Sequence, residues 1–403
     1  MDRRHFIVAS SVLVDMMGYG LIMPLLPFIV KTWTSDAFIV GMLGSLYAAT
    51  QLLVAPILGS LSDRIGRRPV LLLCLFGSAL AYLSIALANS ITLLAAAIAL
   101  GGAAGSSMPV AQAYIADTTT PQHRARGLGL LGAAFGLGLI GGAAMGGFLG
   151  QYGLAIPPAL AAAIALGNAL YATIALPESL PPHHRHHSTY RLQLFAPVYT
   201  AMQIPTIRPL LFAVVLLNIA FAGLQSNVAL FTMTRFGWGP TQNALLFVFV
   251  GIWAAITQAG LLKILHPLLG ETRLAGGGMG FMALAFLLVG MIEQSDWLLF
   301  PLAAMLAIGM GLAVPTLTSI ISQRAGNNRQ GAVLGGMQAL ISLALIVGPL
   351  SFGFLFDRFG PDTPYLIGGT LLTGAWLVVV WTFLQPIPAL PPIASRPVED
   401  SEA

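Results

Sequence analysis

Apolar residues in this chain come in long runs that are hydrophobic on every face, with neither a two-residue nor a one-sided helical rhythm. A helix apolar all round is buried in a large core or in lipid, and about 20 such residues cross a bilayer. Charges and Pro/Gly/Asn clusters cut the sequence into twelve runs: 6–30, 38–62, 70–88, 91–117, 127–150, 154–176, 208–232, 241–263, 273–292, 297–321, 330–356 and 363–385. The pattern predicts an all-α membrane protein with twelve transmembrane helices. Strands of a membrane barrel would alternate apolar and polar residues, and these runs do not.

The longest polar connection, "PESLPPHHRHHSTYRLQLF", falls between the sixth and seventh runs. It predicts a six-helix bundle at 1–176, a central loop at 177–207, a second six-helix bundle at 208–385, and a proline-rich, disordered tail at 386–403. The first run is too long for a secretory leader and contains Asp15, so it is expected to remain as a membrane helix. With the N-terminus placed in the cytoplasm, 15 of the 18 Lys and Arg fall on the inner side, and only Lys31, Arg235 and Arg358 on the outer. Positive residues collect on the cytoplasmic side, so both termini are expected inside.

Composition sharpens this picture. Only 8% of the 403 residues are charged, against about 25% in soluble domains, so lipid is the expected partner. The net charge of +4 and the lack of a soluble basic face argue against a nucleic-acid partner. Cys74 is the single cysteine, which excludes a disulfide framework. No nucleotide-binding motif and no nucleophile–base pair stands out. The reading is therefore not an enzyme and needs no cofactor.

The two halves echo each other. "MPVAQAYIADTTTPQHRARGLGLLGA" from Met108 and "VPTLTSIISQRAGNNRQGAVLGGMQAL" from Val314 each join a proline-bearing helix end, a short basic loop and a Gly-rich helix start. Such repeats about the membrane normal are a transporter architecture with a midplane substrate site. "GSLSDRIGRRP", "DMMGYGLIMPLLP", "FGLGLIGGAAMGGFLG" and "RQGAVLGGMQALISLALIVGPL" resemble the signatures of the major facilitator superfamily, and within it of the drug/proton antiporters, nearest to the tetracycline/proton group. The resemblance implies two pseudo-symmetric six-helix bundles, a monomer in the bacterial inner membrane, and export driven by the proton gradient.

It also implies a charge lock in Gly59, Asp63, Arg64, Gly66, Arg67 and Arg68. Asp63 would face the start of the eleventh run, Arg67 would reach Asp117 at the end of the fourth, and Gly59 would let two helices meet closely. The arginines alone could instead be positive-inside anchors. Asp15 is the only charged residue deep within a run. At about 1.5 Å per residue it lies about 13 Å into a core about 30 Å thick, where an ionised Asp costs about 2.5–3.5 kcal/mol. Asp15 is thus the candidate proton carrier, or else a carboxyl held by neighbouring helices for packing alone.

Ten of the residues 127–150 are glycine, and Gly138, Gly142, Gly146 and Gly150 recur every fourth residue. That smooth ridge can pack or rock against a neighbour; Pro349 marks the matching place in the second half. The resemblance has gaps. Ala143 stands where the family has proline, the fourth run has no arginine, Ala254 stands where a histidine would align, and the third and ninth runs hold no acid. The remaining polar and aromatic residues are cavity candidates: Tyr19, Tyr47, Gln51, Gln112 and Tyr114 in the first half, and Asn218, Gln225, Asn227, Trp253, Gln258 and Gln338 in the second. They suit an uncharged or amphipathic substrate. His183–His187 is read as a solvated loop rather than a metal site. Proton-coupled efflux of drug-like molecules is the leading reading; a facilitator of a neutral metabolite and a non-transporting scaffold or receptor are the alternatives.

Overall fold

The structure, a computed structural model, describes residues 3–181, 185, 196–326 and 329–385. The described residues are almost entirely helical, as lipid demands: without water, backbone polar groups must pair within the segment. In chain order the helices are α1 (Arg3–Ile22), α2 (Leu26–Val30), α3 (Ala37–Ile65), α4 (Arg67–Ala86), α5 (Ile91–Ala104), α6 (Met108–Thr118), α7 (Pro121–Gly150), α8 (Ile156–Ala175), α9 (Ala196–Met202), α10 (Arg208–Phe236), α11 (Pro240–Ile256), α12 (Leu262–Val289), α13 (Leu299–Ala325), α14 (Gln330–Phe359) and α15 (Thr363–Leu384). Proline occupies the first turn of α7, α8, α10, α11 and α15, where its missing N–H costs nothing.

Several expected spans take a different form. The first is α1 and α2 joined by a 3-10 turn at Met23–Leu25. The fourth breaks into α5 and α6 at residues 105–107. The eighth and ninth run on as one helical stretch, Pro240–Val289, too long for one crossing at about 1.5 Å per residue. Gly270, at φ 74° and ψ 166°, turns the chain there and separates the two crossings. The loop 177–207 is not wholly irregular, because α9 lies in it with Ala201 fully buried. The tract His183–His187, apart from Arg185, and the tail from 386 lie outside the described residues.

Large apolar side chains face outward, as a lipid-facing surface requires: Ile174 is 88% exposed and Leu137 65%. We call the side on which the chain starts the near side and the other the far side. Exposed Tyr152 and Trp297 mark the far end and Tyr199 and Trp381 the near end, where amphipathic rings settle at a membrane interface.

The apolar cores follow the two halves. One fills the second half, around Phe231, Phe286 and Tyr365. The first half has two, one toward the near side around Tyr114 and Leu131 and one toward the far side around Leu21 and Leu43. Among the described residues, only the far-side core takes in a buried residue of the other half, Ala229.

Candidate functional site

The junction between the halves is built by α3 against α14 and α7 against α11. Far-side contacts are tight. A Cβ on Gly41 would run into the Pro349 carbonyl and one on Gly147 into Ala244, and nearer mid-depth one on Gly251 would run into Ile140. Ser45 Oγ donates to the Ile346 carbonyl (2.6 Å), and Thr241 Oγ1 to the Gly147 carbonyl (3.3 Å). Toward the near side the same helix faces part. Gly59 lies eighteen residues from Gly41, five turns at 3.6 per turn, and Gly129 lies eighteen from Gly147. Neither has another described element within 4 Å of where a Cβ would stand. The molecule is closed on its far side and open on its near side.

This geometry corrects the expected place of Gly59, which makes no close helix contact here. The glycine ridge packs on α1. Gly138, Gly142 and Gly146 lie against the carbonyls of Leu13, Met17 and Leu21, and Gly150 against the Leu25 side chain. The ridge zips α7 to α1 within the first half, while Gly147, one position on, and the ridge's last member Gly150 meet the other half at Ala244 and Pro240. Pro349 does lie on the seam, its ring beside Gly44.

Asp15 is 3% exposed and sits inside the first half rather than on the gap between halves. Ser78 Oγ of α4 donates to Oδ1 (2.8 Å) and Ser107 Oγ to Oδ2 (3.1 Å), while the Tyr82 hydroxyl donates to the Asp15 carbonyl (3.1 Å). The broken fourth span makes this possible. Pro109 has no N–H for the Gly105 carbonyl four residues back, and Gln51 Nε2 fills that vacancy (3.2 Å). The helix restarts at Met108 with Ser107 in the cap position, so the carboxyl sits by the partly positive start of α6. Beyond Ser107 lies a cavity of about 10 Å³ lined also by Val8, Ser11, Ala111 and Leu176, about the size of one water.

The turn between α3 and α4 is the single residue Gly66, at φ 111°, open in practice only to glycine. It aims Arg67, 9% exposed, back into the bundle. Arg67 Nη1 meets Asp63 Oδ1 (2.6 Å) and Ser62 Oγ (2.6 Å), and Nε meets Asp117 Oδ2 (3.1 Å). Asp63 is therefore turned to its own half, not to the start of α14. Arg68 reaches the Thr173 carbonyl, and Arg64 is exposed. One further carboxylate is absent from the sequence candidates. Glu178 Oε1 accepts from the backbone N of Arg67 (2.9 Å), Ser179 (2.9 Å) and Leu180 (3.0 Å), and Oε2 from that of Arg68 (3.3 Å). The cue was present in the sequence: an acid directly after the sixth span, with α4 left without a cap of its own.

The cavity candidates divide. Tyr19 and Tyr47 pack with ring centres 5.1 Å apart. Gln112, Gln258 and Gln338 are exposed, and Gln225 is half-buried. Gln258 stands in a π-helical turn, Thr257–Leu261, a feature that gathers at functional sites. Trp253 packs on Phe249, which packs on Phe300. Three candidates are taken up by structure instead. Tyr114 is fully buried with its hydroxyl on the Pro177 carbonyl (2.8 Å). Asn227 is fully buried, its amide on the Gly223 carbonyl. Asn218 bonds to the Val214 carbonyl one turn back. The ninth span does begin with an acid, Glu271, held by Ser319 (2.7 Å), Gln323 (3.1 Å) and His266 (3.4 Å) at the near end. Among the described residues no cluster of three metal-type ligands occurs.

Comparison with known proteins agrees with this architecture. The family model described as Major Facilitator Superfamily matches residues 8–349 and 265–401. The chain is 36% identical to "Tetracycline resistance protein, class G" of Vibrio anguillarum, over 91% of this chain and 90% of that one. It is 30% identical to "Multidrug resistance protein 2" of Bacillus subtilis, over 93% and 94%. The crystal structure of the human organic anion transporter MFSD10 superposes with a TM-score of 0.70 at 25% identity, covering 94% of this chain and 99% of that one.

Proposed function

The chain belongs to the major facilitator superfamily, and from that membership we propose that it exports drug-like small molecules in exchange for protons by alternating access. Relatives named for tetracycline and multidrug resistance, aligned over nine-tenths of both chains, support the efflux reading. We place the near side, with both termini, in the cytoplasm of a bacterial inner membrane, because positive residues gather there. On that assignment the open gap faces the cytoplasm, and this conformation takes up substrate from within. The bundles 1–176 and 208–385 then rock as units, in a monomer.

The observation that carries the coupling is the setting of Asp15. A carboxyl at mid-membrane depth, bonded to two hydroxyls, one of which (Ser107) lines a cavity of one water's size, can hold a proton and pass it on as water access alternates. When neutral it sits in the bundle without the cost of a buried charge; when ionised it is held by Ser78, Ser107 and the start of α6. The proton gradient supplies the energy. Arg67 holds Asp63 and Asp117 within the first half in this state; on closure of the near side, Asp63 transfers to the uncapped start of α14.

The substrate reading is a neutral or amphipathic molecule. Gln112, Gln225, Gln258 and Gln338 offer amides, and Trp253 and Tyr19 offer aromatic faces, whereas among the described residues no cluster of cations stands there for a dianion. Inside-out vesicles with an acidic lumen test the proposal with a panel of amphipathic dyes, antibiotics and tetracycline. Uptake that collapses with a protonophore is expected; uptake indifferent to the gradient contradicts coupling.

A further inference from the structure

The octapeptide Gly59–Gly66, "GSLSDRIG", has a second copy at Gly353–Gly360, "GFLFDRFG". The two agree at Gly, Leu, Asp, Arg and the final Gly. Each ends a helix, α3 at Ile65 and α14 at Phe359, with its Asp two residues before the last. Each final glycine takes the same backbone form, φ 111° and ψ 159° at Gly66, φ 99° and ψ 169° at Gly360. Because α3 and α14 run antiparallel side by side, the copies lie at opposite ends of the same seam, the first on the near side and the second on the far side.

The second copy is engaged. Asp357 Oδ1 accepts from the backbone N of Ala37 (2.9 Å) and Oδ2 from that of Phe38 (2.7 Å), so both carboxylate oxygens cap the start of α3 in the opposite half. Helix α3 supplies no side-chain cap itself; Asp36 accepts instead from Thr34 Oγ1 (2.9 Å). Gly353 allows the approach, since a Cβ there would press on the Ala37 backbone. The copies differ at the position after the final glycine. Arg67 succeeds Gly66 and holds Asp63, whereas Pro361 succeeds Gly360 and offers no cation. Asp357 thus has no equivalent partner at that position to hold it within its own half.

We propose that Asp357 is the far-side latch of the transport cycle: its carboxylate on the start of α3 holds the far side shut and must let go before the far side opens. The claim rests on the alternating-access reading. A charged cap is lost only in the far-open state, so it favours the conformation seen here over the other.

Two single-cysteine reporters in a Cys74→Ser background test it. Gly129→Cys lies on the open near-side face, and Gly44→Cys lies under Pro349 on the closed far side, where a Cβ makes ordinary contact at 3.6 Å. Labelling by a membrane-impermeant maleimide is followed from each side of the vesicle. Asp357→Ala is expected to slow labelling at Gly129→Cys and speed it at Gly44→Cys, shifting their ratio about tenfold, the scale of a lost cap. Asp357→Asn, equal in size and still an acceptor at one oxygen, shifts it less in the same direction and serves if the alanine variant folds poorly. Unchanged ratios in both variants, with the parent reporters answering reciprocally to an imposed pH gradient, overturn the latch alone. Parent reporters that never answer reciprocally overturn alternating access itself, and the latch with it.

Discussion

Gly41 and Gly59 lie on one face of α3, five turns apart, and only Gly41 touches the opposite half. A methyl group at each therefore acts differently. Gly41→Ala drives a Cβ into the Pro349 carbonyl and penalises the far-closed state by about 1–3 kcal/mol, the usual cost of overpacking. Gly59→Ala meets nothing in this state. Reporter labelling at Gly129→Cys reads the difference: it falls for Gly41→Ala, while Gly59→Ala leaves it equal or raises it. Equal losses in both variants would contradict a seam open at one end.

The zipper between α1 and α7 makes a second prediction. Gly142→Ala meets the Met17 carbonyl, whereas Gly141→Ala, its neighbour, meets no described element. Thermal unfolding in detergent should show Gly142→Ala lower by several degrees and Gly141→Ala unchanged. Since the ridge lies within one half, the loss should appear as stability rather than as a changed ratio of the two conformations.

Glu178 caps α4 through the backbone of Arg67 and Arg68. Glu178→Ala should cost about 1–2 kcal/mol at that helix start, and hydrogen exchange at residues 67 and 68 should quicken about tenfold. Transport should drop through misplacement of Arg67, and Glu178→Gln should recover part of it. Exchange unaltered in Glu178→Ala would show that the cap does not hold α4.

Tyr114→Phe removes one bond, that to the Pro177 carbonyl, worth about 1 kcal/mol. Substrate KM should stay at the parent value while thermal stability falls slightly. A raised KM with stability intact would return Tyr114 to the substrate pathway.

The fold was legible because lipid imposes a simple rule: runs of apolar residues of the right length become helices whatever their detail. What escaped the sequence were departures from straight helix. The break at residues 105–107 was written in Pro109 and its adjoining glycine and serines, yet a long apolar run concealed it, and with it Ser107 as a partner of Asp15. The gap between residues 263 and 273 did separate the eighth and ninth crossings, but did not show that helix runs on through it with its turn at Gly270. Glycine periodicity told that α7 packs closely but not on which helix, because one residue of rotation, from Gly146 to Gly147, exchanges α1 for α11. Polar residues such as Tyr114 and Asn227 could not be told from cavity residues, since a buried carbonyl and a substrate satisfy a hydroxyl or an amide equally well. Arg67 and Asp117 were legible as neighbours from the resemblance; Asp357 and Glu178 were not, although a repeat of eight residues and an acid after the sixth span pointed to them.

Substrate-driven proton movement through Asp15 tests the central claim most directly. Proteoliposomes loaded with a pH dye and given a substrate gradient, with no imposed pH gradient, report protons moved by transport alone. The parent protein should move protons against the substrate flow. Asp15→Asn, which keeps hydrogen-bonding capacity toward Ser78 and Ser107, should exchange labelled for unlabelled substrate across the membrane and move no protons. Proton movement at the parent rate in Asp15→Asn would show that coupling resides elsewhere and would contradict the account.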